Sequence, residues 1–256
     1  MQTMKTLDRT RRSGRMTLTE QLLESLGQAV VVGEFEGRNL PTEAEISQHY
    51  GTSRSVTREA VKMLIAKGML ASRPRSGITT QPRGEWSLLD PDVLRWMLER
   101  KFSYELLRHF TEMRLGLEPA AAVLAAKNAT PESMRGIELG LERMVAAERG
   151  DDDHLAADIS FHVAILNATG NPFYMQLSEL ITTALKISIR MTNRITGHTA
   201  SIPAHRRVFD AIRVGNAKRA HAAMSSMLSE VMALVVAGDK NEQQRGKPQR
   251  GKRARP

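Results

Sequence analysis

The chain has 256 residues, of which 41% are hydrophobic, so it is long enough for two small domains that each bury a core. It contains no cysteine, which excludes disulfides and thiolate metal sites and leads us to expect a reducing, cytoplasmic setting. No uninterrupted apolar run of about 18 residues occurs, so we expect no membrane-spanning helix. Aromatic residues make up only 4%, which argues against a protein that stacks single-stranded bases.

The net charge of +9 is unevenly distributed along the chain. Residues 1–84 hold 13 Lys/Arg against 8 Asp/Glu, residues 85–238 hold 17 against 18, and residues 239–256 hold 7 against 2. A generally basic protein would not leave so long a middle segment neutral. Localised positive charge favours contact with the phosphates of nucleic acid.

The first predicted element is a helix over residues 17–32, where apolar residues recur at helical spacing. Gly33 follows its last turn and is expected to end it. The segment before it, residues 1–15, is basic and is expected to be disordered.

A helix-turn-helix is predicted next. Pro41, tolerated at a helix start, opens a short helix, Gly51 marks a tight turn, and a second helix follows over residues 53–67. The stripe of this second helix that we expect to be buried comprises Val56, Ala60, Met63 and Leu64. In such motifs the second helix enters the major groove of DNA, and its N-terminal residues reach the base edges.

Two short β-like runs after Gly68 flank the sequence RPRSG at residues 73–77, which predicts a hairpin wing with a basic tip. Residues 81–84 are typical of a linker. We therefore predict a winged helix-turn-helix DNA-binding domain over residues 16–84.

Four side chains at the start of the second helix suit DNA contact. Arginine commonly pairs with guanine through two hydrogen bonds, and Arg54 and Arg58, four residues apart, project from one side of a helix. Ser53 suits the N-cap and, with Ser55, can donate to phosphate oxygens. A surface helix with solvated arginines remains the alternative.

The rest of the chain predicts an all-α antiparallel bundle of six to seven helices over residues 85–238, so the fold class is mostly α with one small β wing. The helices are predicted at residues 92–100, 103–127, 132–149, 151–167, 173–195, 202–214 and 216–237. Residues 239–256 are expected to form a disordered basic tail, which either adds non-specific DNA affinity or has no role.

The predicted bundle contains one candidate metal site. Asp158 and His162 are four residues apart and share a helix face, and His205 and His221 lie in later helices. A carboxylate with neutral imidazoles is a reasonable site for zinc, nickel or manganese. An intrahelical ion pair between Asp158 and His162 is the alternative.

A second set of polar residues suits an anionic ligand. Arg114 lies in a mostly apolar helix with Glu118 one turn later, so it is either half of a surface ion pair or a clamp for a ligand carboxylate. Thr182 and Lys186, one turn apart, are candidate contacts for ligand hydroxyl and carboxylate groups, or form a solvated face.

Residues 40–80 resemble the winged helix-turn-helix of the GntR family of bacterial regulators, through the patterns LP-x-E-x-E and SR-x-x-x-RE and a glycine in the wing. The rest is similar to the FadR-type branch with an FCD ligand-binding domain, and the likeness covers residues 17–237. It implies that Ser53, Arg54, Ser55 and Arg58 contact operator DNA and that Gly77 lets the wing approach the minor groove. Ala44 departs from the family, many of whose members have another DNA-contacting arginine there.

The same resemblance implies a divalent metal held by an Asp and a His on one helix and by a His from each of the last two helices. Asp158, His162 and His205 match the first three positions, and Met227 occupies the fourth. Methionine is a poor ligand for a hard divalent ion, and the open position suits a hydroxy acid. His221, six residues earlier on another helix face, is not expected to replace it.

Three further stretches, LDPDVL-x-W, ADI-x-x-H and NP, resemble galactonate-responsive members of the family. They imply a homodimeric repressor that a sugar acid, galactonate or a related aldonate, releases from double-stranded operator DNA. One alternative is a metal-dependent enzyme with an appended DNA-binding module, although no nucleophile–base pair or phosphate loop is evident. Another is a ligand-free architectural DNA binder, which inward-facing polar residues in the bundle would disfavour.

Overall fold

The computed structural model describes residues 16–36, 40–73, 77–100, 103–186 and 201–245. The chain forms two compact units, residues 1–102 and residues 103–256. This division falls later than the domain boundary predicted after residue 84. The reason is that α4 (Pro91–Arg100) packs against the first helix of the chain and completes the first unit.

The first unit is a winged helix-turn-helix, so the predicted fold class is confirmed for this part. Its elements before α4 are α1 (Leu18–Val31), α2 (Glu43–Tyr50), α3 (Arg54–Ala66), β1 (Leu70–Arg73) and β2 (Gly77–Thr80). The two strands pair antiparallel, with Leu70 opposite Thr80 and Arg73 opposite Gly77. The predicted basic wing tip, residues 74–76, and the N-terminal segment 1–15 lie outside the described residues.

Side-chain caps set where the helices of the first unit begin. Thr17 and Thr42 each form a capping box with a glutamate three residues later, and the hydroxyl of Ser53 accepts a hydrogen bond from the third residue of α3. The prediction that Pro41 opens α2 is therefore wrong: Pro41 precedes the cap residue, Thr42. Gly51 ends α2 with a φ of 62°, a left-handed conformation that favours glycine.

The buried face of α3 is rotated slightly from the predicted stripe. The fully buried residues are Thr57, Ala60, Val61 and Leu64, while Val56 and Met63 are half-buried. Thr57 is polar and was not expected inside. Its hydroxyl is satisfied by Ser47 at 2.8 Å and by Thr52 at 3.0 Å, which makes its burial tolerable.

The attachment of α4 depends on Glu24 of α1. This carboxylate accepts hydrogen bonds from both terminal nitrogens of Arg95, at 2.8 and 2.7 Å, and from the indole N–H of Trp96 at 2.8 Å. Burial would raise the pKa of Glu24, but the bonds from Arg95 and Trp96 lower it overall. The Trp96 ring itself is fully buried and lies directly over Gly27.

The described part of the second unit is all helical, as predicted. Its described helices are α5 (Tyr104–Asn128), α6 (Pro131–Glu148), α7 (His154–Ala168), α8 (Pro172–Gln176), α9 (residues 178–186), α10 (Ile202–Arg213) and α11 (Ala217–Arg245). The most extensive contacts join α5 to α11 and α6 to α7, with α10 packed on α11. Three helices, α5, α7 and α10, supply the cluster of buried charged residues described below.

Two helix boundaries in this unit differ from the predicted ones. The helix predicted over residues 173–195 is divided at Leu177 into α8 and α9, and residues 187–195 lie outside the described residues. Helix α11 continues to Arg245, into the segment predicted to be a disordered tail from residue 239. Lys, Glu, Gln and Arg in this stretch are good helix formers, which favours the extension.

One described helix segment, Ala217–Lys240, is long and apolar enough by length and composition to cross a membrane, with a mean hydropathy of 1.4. This segment of α11 packs against α5 and α10, and its Met224, Leu228 and Val235 are buried in the unit. Core helices of bundles meet the same criterion, so the segment does not indicate a membrane protein.

We predict that Gly27→Ala destabilises the first unit, because a Cβ at this position would lie 2.6 Å from Cε3 of Trp96. Overpacking of this kind costs about 1–3 kcal/mol. Both tryptophans of the chain, Trp86 and Trp96, lie in the first unit, so denaturation followed by tryptophan fluorescence measures the effect there.

Gly84→Ala is the matched control, since nothing lies within 4 Å of its added Cβ, and its free energy of unfolding should change by less than about 0.5 kcal/mol. Equal stability of the Gly27→Ala and Gly84→Ala variants would contradict the proposed α1–α4 packing.

Candidate ligand site and DNA-contact surface

The residues predicted to bind a metal come together inside the second unit. Asp158 and His162 lie one turn apart on α7, His205 lies on α10, and the three are 6%, 4% and 4% exposed. Nε2 of His162 is 3.3 Å and Nε2 of His205 is 3.2 Å from the same oxygen of Asp158. One donor atom from each residue lies within 4.8 Å of the other two.

The other ring nitrogen of each histidine, Nδ1, forms a hydrogen bond to a residue outside this group of three. Nδ1 of His205 donates to the backbone carbonyl of Ser201 at 2.8 Å, and Nδ1 of His162 donates to the carboxylate of Glu118 at 2.6 Å. The ring orientation is thereby fixed, and both Nε2 atoms face Asp158.

Glu118 also binds Arg114, one turn earlier on α5. Nε of Arg114 lies 2.5 Å from Oε1 of Glu118, and the two residues are only 3% and 2% exposed. The ion pair, one of the two roles that the sequence left open for Arg114, is therefore present, but it is buried beside the three candidate ligands and not at the surface. The role of Arg114 as a carboxylate clamp stays a prediction. Sequence spacing indicates Glu118 only as the partner of Arg114 and does not predict it as a site residue. Its position before an apolar, alanine-rich stretch is the signal in the sequence that points to burial.

Charges in this cluster shift the pKa values of its members. Burial would raise the pKa of Glu118, but Arg114 and His162 hold it down at about 2. Burial would likewise raise the pKa of Asp158, but hydrogen bonds from His162 and His205 hold it well below its usual value. Burial would lower the pKa of His162, but the charge of Glu118 and the bonds to Asp158 and Glu118 raise it to about 9.

The donor set fits a divalent metal. One carboxylate oxygen and two imidazole nitrogens are ligands that zinc, nickel and manganese all accept, and three protein ligands leave room for an exogenous one. Among the described residues this is the one such group of His, Cys, Asp or Glu. Met227 is buried on α11, while His221 is exposed with its ring near Ser225, so His221 does not join the group.

The remaining predicted effector contacts lie on α9. Thr182 is half-buried and Lys186 is exposed. One turn before Thr182, the buried hydroxyl of Ser178 has no hydrogen-bond partner within the described part of the chain. The roles of Thr182 and Lys186 stay predictions.

The predicted DNA contacts are all exposed on the first unit. Arg54, Ser55 and Arg58 project from the first turns of α3, and the hydroxyl of Ser53, which caps this helix, lies 2.8 Å from that of Ser55. Arg58 is 61% exposed and only loosely paired with a carboxylate of α2, at 3.4 Å. Gly77 has a φ of 74° and open space where a Cβ would be, so the backbone at the start of β2 is accessible.

Two family models match the chain, one for each part. Residues 18–79 match "Bacterial regulatory proteins, gntR family", and residues 109–230 match "FCD domain". The galactonate operon transcriptional repressor of Escherichia coli (strain K12) is 34% identical over 84% of this chain and 96% of its own length. The chain belongs to the GntR family, in the branch with an FCD domain.

This GntR-family protein has other regulators among its relatives. The transcriptional repressor NanR of Klebsiella aerogenes is 29% identical over 88% of each chain. In a solved structure, the Listeria monocytogenes protein Lar has the same fold, with a TM-score of 0.57 at 17% identity, over 88% of this chain and 99% of its own. The protein is accordingly a transcriptional regulator, a class that binds operator DNA and small-molecule effectors.

We predict that the metal-free protein loses stability as the pH rises from 6.5 to about 9. The pKa of His162 is higher in the folded than in the unfolded state, so the folded state binds more protons in this window, and its advantage is complete below pH 6.5. Chemical denaturation of chelator-treated protein should show this slope, and His162→Gln should abolish it. Exposed His154 provides the control variant His154→Gln, which should keep the slope; an identical slope in both variants would contradict the assignment.

Proposed function

We propose that this regulator is a homodimeric repressor that leaves its operator when a sugar acid binds inside the FCD domain, with galactonate or a related aldonate as the first candidate. The observation that carries the proposal is the buried cluster in which Arg114 and Glu118 adjoin Asp158, His162 and His205. The relative at 34% identity that represses a galactonate operon supports the choice of acid.

The burial of these charges argues for a ligand. These charges are paired with one another, but apolar residues in their place would stabilise a bundle that only dimerises at least as well. Arg114, Asp158, His162 and His205 all turn inward, which disfavours a ligand-free architectural DNA binder. The enzyme alternative has no support from the relatives, which are transcriptional regulators.

The chemistry of the cluster suits a hydroxy acid. Nε and Nη2 of Arg114 already donate to Glu118, so a ligand carboxylate would be bound at the Nη1 side of the planar guanidinium. Asp158, His162 and His205 would hold a divalent ion, which when bound supplies a Lewis-acidic point for the carboxylate and hydroxyl oxygens of the acid. Thr182 and Lys186 on α9 are proposed to contact the rest of the ligand.

The DNA-contact surface suits a two-fold operator. Arg54 and Arg58 would read guanine in the major groove, while Ser53 and Ser55 bind phosphates and Gly77 brings the wing to the minor groove. Proteins of this kind bind paired half-sites as symmetric dimers, which is the basis for proposing a homodimer. Because operator DNA is the proposed partner, we also propose a cytoplasmic location.

Release from the operator requires that the acid bind the released conformation more tightly than the DNA-bound one. A coupling free energy of about 1–3 kcal/mol is typical of such regulators and corresponds to a change of roughly 5–150-fold in DNA affinity.

We predict that Arg54→Ala and Arg58→Ala each weaken binding to a duplex selected from genomic fragments by about 1–3 kcal/mol, because each arginine pairs with a base. Fluorescence anisotropy measures the affinity. Arg149→Ala is the matched control, since Arg149 is 65% exposed and paired with a carboxylate, as Arg58 is, but lies in the bundle. Unchanged affinity in both α3 variants would remove α3 from the DNA interface.

We predict that galactonate raises the melting temperature of the protein and that a chelator abolishes or reduces the shift. Ligand at a hundred times its dissociation constant stabilises the folded state by about 2.7 kcal/mol. A thermal-shift panel of aldonic, uronic and simple dicarboxylic acids, with and without chelator, measures this. A shift that survives the chelator would assign recognition to Arg114 without the ion, and no shift with any acid would contradict the sensor.

A further inference from the structure

Glu118 occupies the centre of a continuous chain of polar contacts that joins three helices. On one side Oε1 accepts from Nε of Arg114, and on the other side Oε2 lies 2.6 Å from Nδ1 of His162. Beyond the imidazole, Nε2 of His162 faces Asp158, which is shared with His205. Every one of these side chains is buried.

The two candidate histidine ligands differ in what holds them. His205 donates Nδ1–H to the carbonyl of Ser201 within its own helix, so its orientation follows from the fold of α10. His162 has no backbone partner in its hydrogen bonds among the described residues, and the group at its Nδ1 is the Glu118 side chain from another helix. On its Nδ1 side, the orientation of His162 therefore depends on one carboxylate of α5.

We infer that Glu118 is a positioning residue of the metal site: it holds Nδ1–H of His162, so that Nε2 is the atom presented beside Asp158 and His205. This inference rests on the metal site of the proposed function. It adds to that site a residue that is not itself a predicted metal ligand. A carboxylate at the far nitrogen of a ligating imidazole fixes the tautomer and raises the basicity of the ligand. Arg114 in turn keeps Glu118 ionised and fixes the direction of its oxygens.

A purely structural role for Glu118 makes a different prediction. As the buried partner of Arg114 it would affect the free energy of unfolding, but the affinity of the folded protein for an ion would not depend on it. Ion affinity and the ligand-field spectrum of the bound ion therefore separate the two roles, and both are measured with the metal alone.

The test is titration of the full-length, chelator-stripped protein with Co²⁺, followed by visible absorption. Loss of a hydrogen-bonding partner of a ligand lowers metal affinity about 10–100-fold. Glu118→Gln, which keeps an acceptor oxygen and loses the charge, should weaken Co²⁺ binding about tenfold and shift the absorption bands. The matched control is Glu112→Gln, which removes a carboxylate from a similar i, i+4 pair with Arg108 at the exposed face of α5.

Glu118→Gln leaves the guanidinium of Arg114 without its buried carboxylate, so a second variant covers the case in which it does not fold. The double variant Arg114→Met, Glu118→Leu removes both charges together and should weaken Co²⁺ binding about a hundredfold.

Three results are informative. Weaker binding in the Glu118 variants and unchanged binding in Glu112→Gln support the inference. Folded Glu118 variants with the affinity and spectrum of the wild type overturn it, while the metal site of the proposed function stands. A wild-type protein that binds no Co²⁺ overturns the metal site itself, and the inference with it.

Discussion

The buried ion pair between Arg114 and Glu118 is the constraint on which the second unit depends. Removing one member of such a pair costs about 3–5 kcal/mol, because the other charge is left buried without a partner. Glu118 can be kept ionised at this depth only because Arg114 lies on one side and His162 on the other. The same contacts connect Arg114 with the three candidate metal ligands, so stability and the proposed ligand chemistry share one set of side chains.

The first unit is stabilised in a different way. Its stability comes from an apolar core that includes Trp96, and the first residues of α3 lie outside this core. Arg54, Ser55 and Arg58 are therefore exposed, and their arrangement follows from the cap at Ser53 and the turn at Gly51. A rigid scaffold that presents exposed polar groups at one helix start is what base reading requires.

Much of this architecture could be predicted from the sequence, because local chemistry determines it. The cap at Ser53, the turn at Gly51 and the two short β runs locate the helix-turn-helix and its wing, and the family resemblance was confirmed. Asp158, His162 and His205 were predicted as one group, and the structure brings them together. Features that depend on tertiary packing were not predictable: α4 packs on the first unit through Glu24, Thr57 is buried because Ser47 satisfies it, and Glu118 belongs to the cluster because α5 faces α7.

We propose the buried cluster of the second unit as a ligand site built around an ion. Metal analysis of untagged protein, purified without chelator and measured by mass spectrometry of the metals, tests it most directly. We expect one divalent ion per chain in the wild type, and loss of that ion in Asp158→Asn while the helical circular-dichroism spectrum is kept. Wild-type protein that remains free of metal after incubation with zinc, nickel and manganese would contradict it.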